Sequence, residues 1–284
     1  MMMIFRNRFG LVLFLSMLAP VAASACETQL SHTSRVVEII DGHTVRLDDG
    51  GVVRLMGALA PEPPRWWKGP GEWPPVKLAR SGLAELLLDK QIEVRFAGAE
   101  ARRDRHERLL AQLYLVDGAE RIWAQAHMIR QGLARAYSLK GHHGCVRELQ
   151  RLEQGARDAR KGLWRKGLYK ITQAAKPGKL SKRLGSYQLV EGRVTSVANV
   201  RQWTFLNFSD DWRSDFTVAI RAADRRQFLS RGPALAKLEG KRVLVRGWIE
   251  RWNGPVIKAT HPEQIEVLAE QIEVLDGKSQ PAVK

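Results

Sequence analysis

The stretch Val36–Glu62 reads VVEIIDGHTVRLDDGGVVRLMGALAPE. Short runs of Val, Ile and Leu are interrupted at Asp41-Gly42 and Asp49-Gly50-Gly51, where a chain can reverse cheaply. Ser34–Leu59 therefore reads as three strands. Val36, Glu38 and Ile40 share one face of the first, and Val37 and Ile39 share the other. Downstream, Pro61–Pro75 (PEPPRWWKGPGEWPP) holds too much Pro, Gly and Trp for regular structure. Leu78, Leu83, Leu86 and Leu87 fall near helical spacing and predict an amphipathic helix over Val76–Lys90. Gln91–Phe96 and Leu109–Leu115 read as strands. Arg121–Leu133 reads as a helix with Ile122, Ala126, Ile129 and Leu133 inward. Val146–Gly162 reads as a last helix with Leu149, Leu152 and Ala156 on one face. His142-His143-Gly144-Cys145 has metal-like residue types at a spacing that fits no common zinc pattern, and reads as the loop before that helix.

A second piece, DRHERLLAQLYL from Asp104 to Leu115, completes a pattern. Asp41-Gly42-His43-Thr44, Arg54, Ala60-Pro61-Glu62, and Asp104 with Arg108 resemble the motifs of the staphylococcal nuclease (thermonuclease) family. The resemblance implies a five-stranded oligonucleotide/oligosaccharide-binding (OB) barrel with added helices, in the order βββαββαα. It also implies catalytic roles: Arg54 and Arg108 on the phosphate, and Glu62 as the base acting on water. A guanidinium suits phosphate because its planar fork stays charged and binds two oxygens at once. Calcium is the cofactor expected for the family. Here, however, His43 and Leu59 stand where the family has its ligand aspartates. Imidazole is a poor calcium ligand and leucine is none. The metal site therefore reads as lost, and His43 as a polar residue at a strand end.

Lys and Arg number 46 against 30 Asp and Glu, a net charge of +16 with a pI near 10.3. Such an excess favours nucleic acid or another polyanion as partner. At the N-terminus, Arg6 and Arg8 precede the apolar run Leu11–Pro20, and Ala23-Ser24-Ala25 fits a cleavage site. Residues 1–25 read as a signal peptide, which places the protein in the periplasm or outside the cell. Loss of Arg6 and Arg8 with that peptide brings the charge from +16 to +14. No later segment is apolar for long enough to cross a membrane as a helix. Cys26 would be the first mature residue. Lipid anchoring through it is the lesser reading, because Ala23 stands where a lipoprotein has leucine. Cys26 and Cys145, the two cysteines of the chain, are expected to form a disulfide in an oxidising compartment.

Residues 33–168 thus form a nuclease-like unit, 169–184 a linker (AAKPGKLSK at its centre), 185–269 a second unit and 270–284 a tail. In the second unit Tyr187–Val197, Gln202–Phe208, Asp215–Ile220, Lys241–Ile249 and Pro255–Thr260 read as strands. Asn253-Gly254 is a hairpin turn, and Ala222–Leu238 is partly helical. That layout resembles another OB barrel. The fold class is α+β, mostly β, with two OB-type five-stranded barrels. EQIEVL occurs twice, at Glu263–Leu268 and Glu270–Leu275, as a local duplication.

Nucleic-acid contacts are expected from Trp66 and Trp67, where bases could stack on indoles. They are expected also from Arg242, Arg246 and Trp248, read as one basic face opposite Val243 and Val245, with Trp203 and Phe205 on a similar face. The sequence points to an exported nuclease-like protein that binds nucleic acid, its hydrolysis impaired, a thermonuclease-like phosphodiesterase if active. The alternative is a non-catalytic envelope scaffold or polyanion-binding module.

Overall fold

The computed structural model describes residues 26–64, 67–98, 102–211 and 213–269. Residues 1–25, read above as a signal peptide, Trp66 and the tail with the second EQIEVL copy lie outside the described residues. The fold is mostly β with added helices.

The first unit begins with β1 (Gln29–Asp41), β2 (Thr44–Leu47), β3 (Val52–Leu55) and the short β4 (Ala58–Leu59). Helix α1 (Pro74–Leu87) follows, then β5 (Gln91–Phe96), β6 (Leu109–Asp117) and β7 (Glu120–Trp123). Next come α2 (Ala124–Arg130), β8 (Arg135–Ala136), α3 (Val146–Asp158) and α4 (Gly162–Arg165). Five strands pair in a closed ring, β1–β2–β3–β6–β5 and back to β1, with β3 and β6 parallel. Val36, Val45, Val53, Leu55, Val94 and Leu113 fill its interior together with Leu83 and Leu87 of α1.

The expected alternation along β1 is broken. A register shift between Val36 and Glu38 inserts a bulge, so Val36 and Ile39 are buried while Val37 and Ile40 are exposed. One extra residue re-aims every side chain after it. The helix expected over Arg121–Leu133 is also shortened. Its first residues pair with β6, Tyr114 opposite Trp123, and the Trp123 indole donates to Gln112 at 2.9 Å. A tertiary strand pairing overrides local periodicity there.

Residues read as a linker are folded. β9 (Ile171–Gln173) and α5 (Pro177–Ser181) lead into β10 (Tyr187–Arg193). β9 runs parallel to β10, and Leu180 is fully buried in the second core. β11 (Ser196–Val200), β12 (Trp203–Asn207) and β13 (Thr217–Arg221) follow, then α6 (Arg225–Arg231), β14 (Arg242–Trp252), β15 (Gly254–Lys258) and β16 (Ile265–Val267). β10 and β11 are separated only by Val194 and Thr195. β11 pairs β12, β12 pairs β13, β13 runs parallel to β15, β15 pairs β14, and β14 returns to β10. The strand path repeats that of the first ring, including the one parallel pair.

The two units share a cluster of Leu59, Leu163, Trp164 and Tyr169 with Tyr187, Leu189 and Leu244. Cys26 and Cys145 are disulfide-bonded, with Cα atoms 4.6 Å apart, tying the start of the described chain to the N-cap of α3.

Candidate active site

Three neighbouring strands assemble the site. Thr44 lies opposite Arg54 in the β2–β3 pair, and Arg54 lies opposite Leu110 in the β3–β6 pair. The Asp41–Thr44 turn, Arg54 and the loop before β6 therefore meet at one place although 67 positions of chain separate Asp41 from Arg108. Gly42 is required by close approach: a Cβ there would lie 2.7 Å from the Ala60 Cβ and 2.8 Å from that of Ala79. Behind Arg54, Met56 accepts from Gln112 at 3.0 Å and from Gln125 at 3.3 Å. Gly57, at φ +96°, then turns the chain into β4 and on to Glu62.

Asp104 holds Arg108. Its Oδ1 accepts from the backbone N–H of His106 at 2.8 Å and of Arg108 at 3.1 Å, and its Oδ2 accepts from Arg108 Nε at 2.8 Å. Burial raises the Asp104 pKa, but these hydrogen bonds and the guanidinium outweigh it, so the carboxyl sits below its ordinary value. The motif residue Asp104 is thus an anchor for Arg108, fixing the fork before any phosphate arrives.

His43 is 5% exposed. Its N–H donates to Asp41 Oδ1 at 2.8 Å, while its Nδ1 lies 3.4 Å from the same oxygen without hydrogen-bonding it. Burial pushes the imidazole pKa down to about 4. Asp41 raises it, and Arg54 and Arg108 each lower it further. The positive charge of both guanidiniums is therefore felt at one buried imidazole. The Arg54 guanidinium carbon is 5.8 Å from the Tyr137 ring centre. Burial raises the Tyr137 phenol, Arg54 lowers it and Glu62 raises it again, so Glu62 belongs to the same field.

Strand pairing thus sets Arg54 opposite Thr44 and next to the strand that Arg108 leads into, and the Arg54 guanidinium faces Tyr137. Sequence reading missed Tyr137, which no motif marks. It arrives through the β4–β8 pair, Ala58 opposite Ala136, and its N–H donates to the Gly57 carbonyl at 2.9 Å. Chemically, the site offers a phosphodiester two guanidiniums, that of Arg108 fixed by Asp104, and an exposed carboxylate that could take a proton from water.

Calcium does not fit the donors present. Leu59 is 1% exposed and packs in the apolar cluster between the units. His43 offers nitrogen where calcium takes oxygen. Among the described residues, no three His, Cys, Asp or Glu side chains gather around a common point.

The expected nucleic-acid contacts scatter. Trp67 is half-buried, and its ring lies over Gly69, where a Cβ would come within 2.6 Å of the indole. Arg242 pairs with Glu191, Nε to Oε1 at 2.9 Å. Trp248 is 38% exposed and packs edge-on against Tyr187. Arg246 corrects the expectation of a basic outer face. It is 1% exposed, and its Nη1 donates to Glu153 Oε2 of α3 at 2.7 Å. Leu244 beside it is buried as well, because β14 is covered on both sides, by its own core and by the first unit.

Residues 52–166 match the family of staphylococcal nuclease homologues. Similar curated proteins include the probable endonuclease LCL3 of Leptosphaeria maculans and the probable endonuclease lcl3 of Pyrenophora tritici-repentis. Each is 32% identical over 117 residues, covering 40% of this chain. The chain spans 37% and 41% of the length of those relatives. Arg54, Glu62 and Arg108 fall inside the matched stretch, and this part of the chain, residues 52–166, is similar to the staphylococcal nuclease homologues.

Proposed function

We propose that this chain is an exported, nuclease-like protein that binds nucleic acid through its phosphates and hydrolyses it slowly or not at all. The observation that carries this reading is the pairing of β2 with β3 and of β3 with β6, which brings Arg54 beside the start of the strand preceded by the Asp104-anchored Arg108. In this reading the two arginines grip non-bridging phosphate oxygens and Glu62 acts on water. Two guanidiniums neutralise the phosphate but do not lower the pKa of an attacking water as a metal does. That lack costs several kcal/mol, or roughly three orders of magnitude in rate.

Both five-strand rings are OB-type barrels in this reading, the nuclease-like unit spanning 33–168 and the second 185–269. Their common strand path and the helical segment between third and fourth strands support it. Export through residues 1–25 is consistent with the Cys26–Cys145 disulfide, a bond of oxidising compartments. In this reading the protein is periplasmic or secreted, and a Cys26 sulfur engaged in that bond favours this over lipid anchoring through Cys26.

Purified residues 26–284 are to be incubated with DNA and RNA in calcium, in transition metals and in chelator. Salt-sensitive binding with little or no cleavage in every condition is expected. Arg108→Ala and Glu62→Gln should each abolish any residual cleavage while the far-ultraviolet circular dichroism stays unchanged. Robust cleavage stimulated by calcium and lost on chelation would overturn the reading, as would the absence of binding at low salt.

A further inference from the structure

The second unit carries a built pocket on the outer face of β12, β13 and β15. Trp203 and Phe205 project from β12, two residues apart and hence on one face. Register sets Arg221 opposite Trp203, Ala219 opposite Phe205, and Lys258 opposite Ala219. Trp252, at the end of β14, crosses over to this face. Its ring centre lies 4.9 Å from that of Trp203 and 5.4 Å from that of Phe205, edge-on to both. A pocket of about 610 Å³ is lined by Trp203, Ala219, Arg221, Trp252, Lys258 and Thr260.

Three features give the pocket a ligand class. The first is an aromatic wall that the core does not use: Trp252 is 40% exposed, and none of the three rings is in the core cluster. The second is the small floor. Ala219 sits where a larger residue would fill the space. The third is charge. The Arg221 guanidinium carbon lies 5.2 Å from the Trp203 ring centre and is the leading cation of the pocket, while Lys258 on the next strand donates to Glu250 at 2.5 Å in a solvent-exposed pair that an anion can share. The one acid in the lining, Asp224, is neutralised from the first unit by Lys140, Nζ to Oδ1 at 2.7 Å. Flat π-faces beside cations suit an unpaired nucleobase on an anionic backbone. The volume falls within the range of about 300–1,000 Å³ typical of sites for single small ligands. A duplex cannot use such a pocket, because its bases already stack on each other.

We propose that Trp203, Phe205, Trp252, Arg221 and Lys258 form a stacking subsite that takes unpaired bases of single-stranded nucleic acid. The proposal rests on the nucleic-acid reading above and extends it to a second, separate contact.

The test measures fluorescence anisotropy of a short labelled oligothymidylate, and of a labelled duplex, with residues 26–284. Trp252→Ala should weaken single-strand binding on the order of tenfold and duplex binding less than about twofold, with Trp252→Phe intermediate. Trp203→Ala should act alike, with circular dichroism and thermal unfolding confirming the fold. Ala219→Leu should fill the floor and weaken single-strand binding as well. Equal loss on both probes would overturn the subsite, as would no loss in any variant while Arg54→Ala still weakens binding. In that last case the nucleic-acid reading stands and the pocket is a packing cluster. A wild-type protein that binds neither probe would overturn both. Tryptophan-dependent binding of dextran sulfate in place of the oligonucleotide would overturn the base-stacking assignment alone.

Discussion

The two rings follow one strand path and put different chemistry on it. In the first, the strand that pairs on both sides with the ring, β3, presents Arg54 to a site shared with Arg108, His43 and Tyr137. In the second, β14 presents Arg246 into a dry contact with Glu153 of the other unit. Both arginines stand in strands of alternating Val and Leu, VVRL and VLVR. One is half-buried and electrostatically tied to an active-site field; the other is sealed between units. The lesson is that a strand arginine is assigned by what covers the strand, which a neighbouring domain decides.

Four experiments would break or sharpen this contrast. The largest effect is expected in the first ring alone. Reducing the Cys26–Cys145 bond, or Cys145→Ser with Cys26→Ser, should cost on the order of 4–5 kcal/mol, because the bond closes a loop with a sequence separation of 119. Differential scanning calorimetry of oxidised and reduced protein checks this. An unchanged first transition would show that the tie does not constrain the unit.

Next is the sealed arginine. Arg246→Ala leaves Glu153 charged, buried and unpaired, and should cost about 3–5 kcal/mol in urea unfolding. Arg246→Met with Glu153→Gln should recover part of it, since the glutamine can still accept from the Ala136 N–H as Glu153 does at 2.9 Å. If Arg246→Ala is no worse than Arg242→Ala, whose pair with Glu191 is partly solvated, the sealed contact is not a stability element.

Acid should act at two of the buried histidines, His43 and His261. His43 is lowered to about 4, chiefly by burial. His261, bonded to Ser138 across the units at 2.7 Å, is lowered to about 3, chiefly by burial. Each is neutral when folded, while the unfolded chain takes up protons from about pH 6.5 downward. The unfolded state therefore binds more protons in this window, and stability falls as pH drops from about 6.5 through 4 and 3. The loss from His43 alone is about 3 kcal/mol. His43→Asn should flatten the upper part of a urea-midpoint-versus-pH curve. A curve of unchanged slope would place the acid sensitivity elsewhere.

The smallest stability effect belongs to the open arginine. Arg54→Ala loses a ring contact with Tyr137 and should cost at most about 1 kcal/mol. It should still weaken nucleic-acid binding and reduce the slope of log affinity against log salt by about 1. Isothermal titration across a salt series reads the slope. A large stability loss with no slope change would make Arg54 a second Arg246.

The sequence by itself marked the five ring strands of each unit in their order, since period-two runs bounded by Gly, Asn and Asp are local signals, but it left β4, β7, β8, β9 and β16 and the break between β10 and β11 unread. It determined the cysteine pair, and its resemblance to the staphylococcal nuclease motifs marked Arg54, Glu62 and Arg108. It misplaced what depends on partners far along the chain. The β1 bulge moved Val37 and Ile40 outward because pairing to β2 takes up an extra residue. Residues 169–184 look like a linker because of the stretch AAKPGKLSK at their centre, yet Ile171–Gln173 adds a strand to the second sheet. Tyr137 joined the site through a two-residue pairing too short to leave a pattern. Arg246 went inward although its neighbours alternate as an exposed face would. Its burial is stable only because Glu153, 93 positions earlier, meets it there, and a charge is hidden or solvated according to whether tertiary structure brings it a counter-charge.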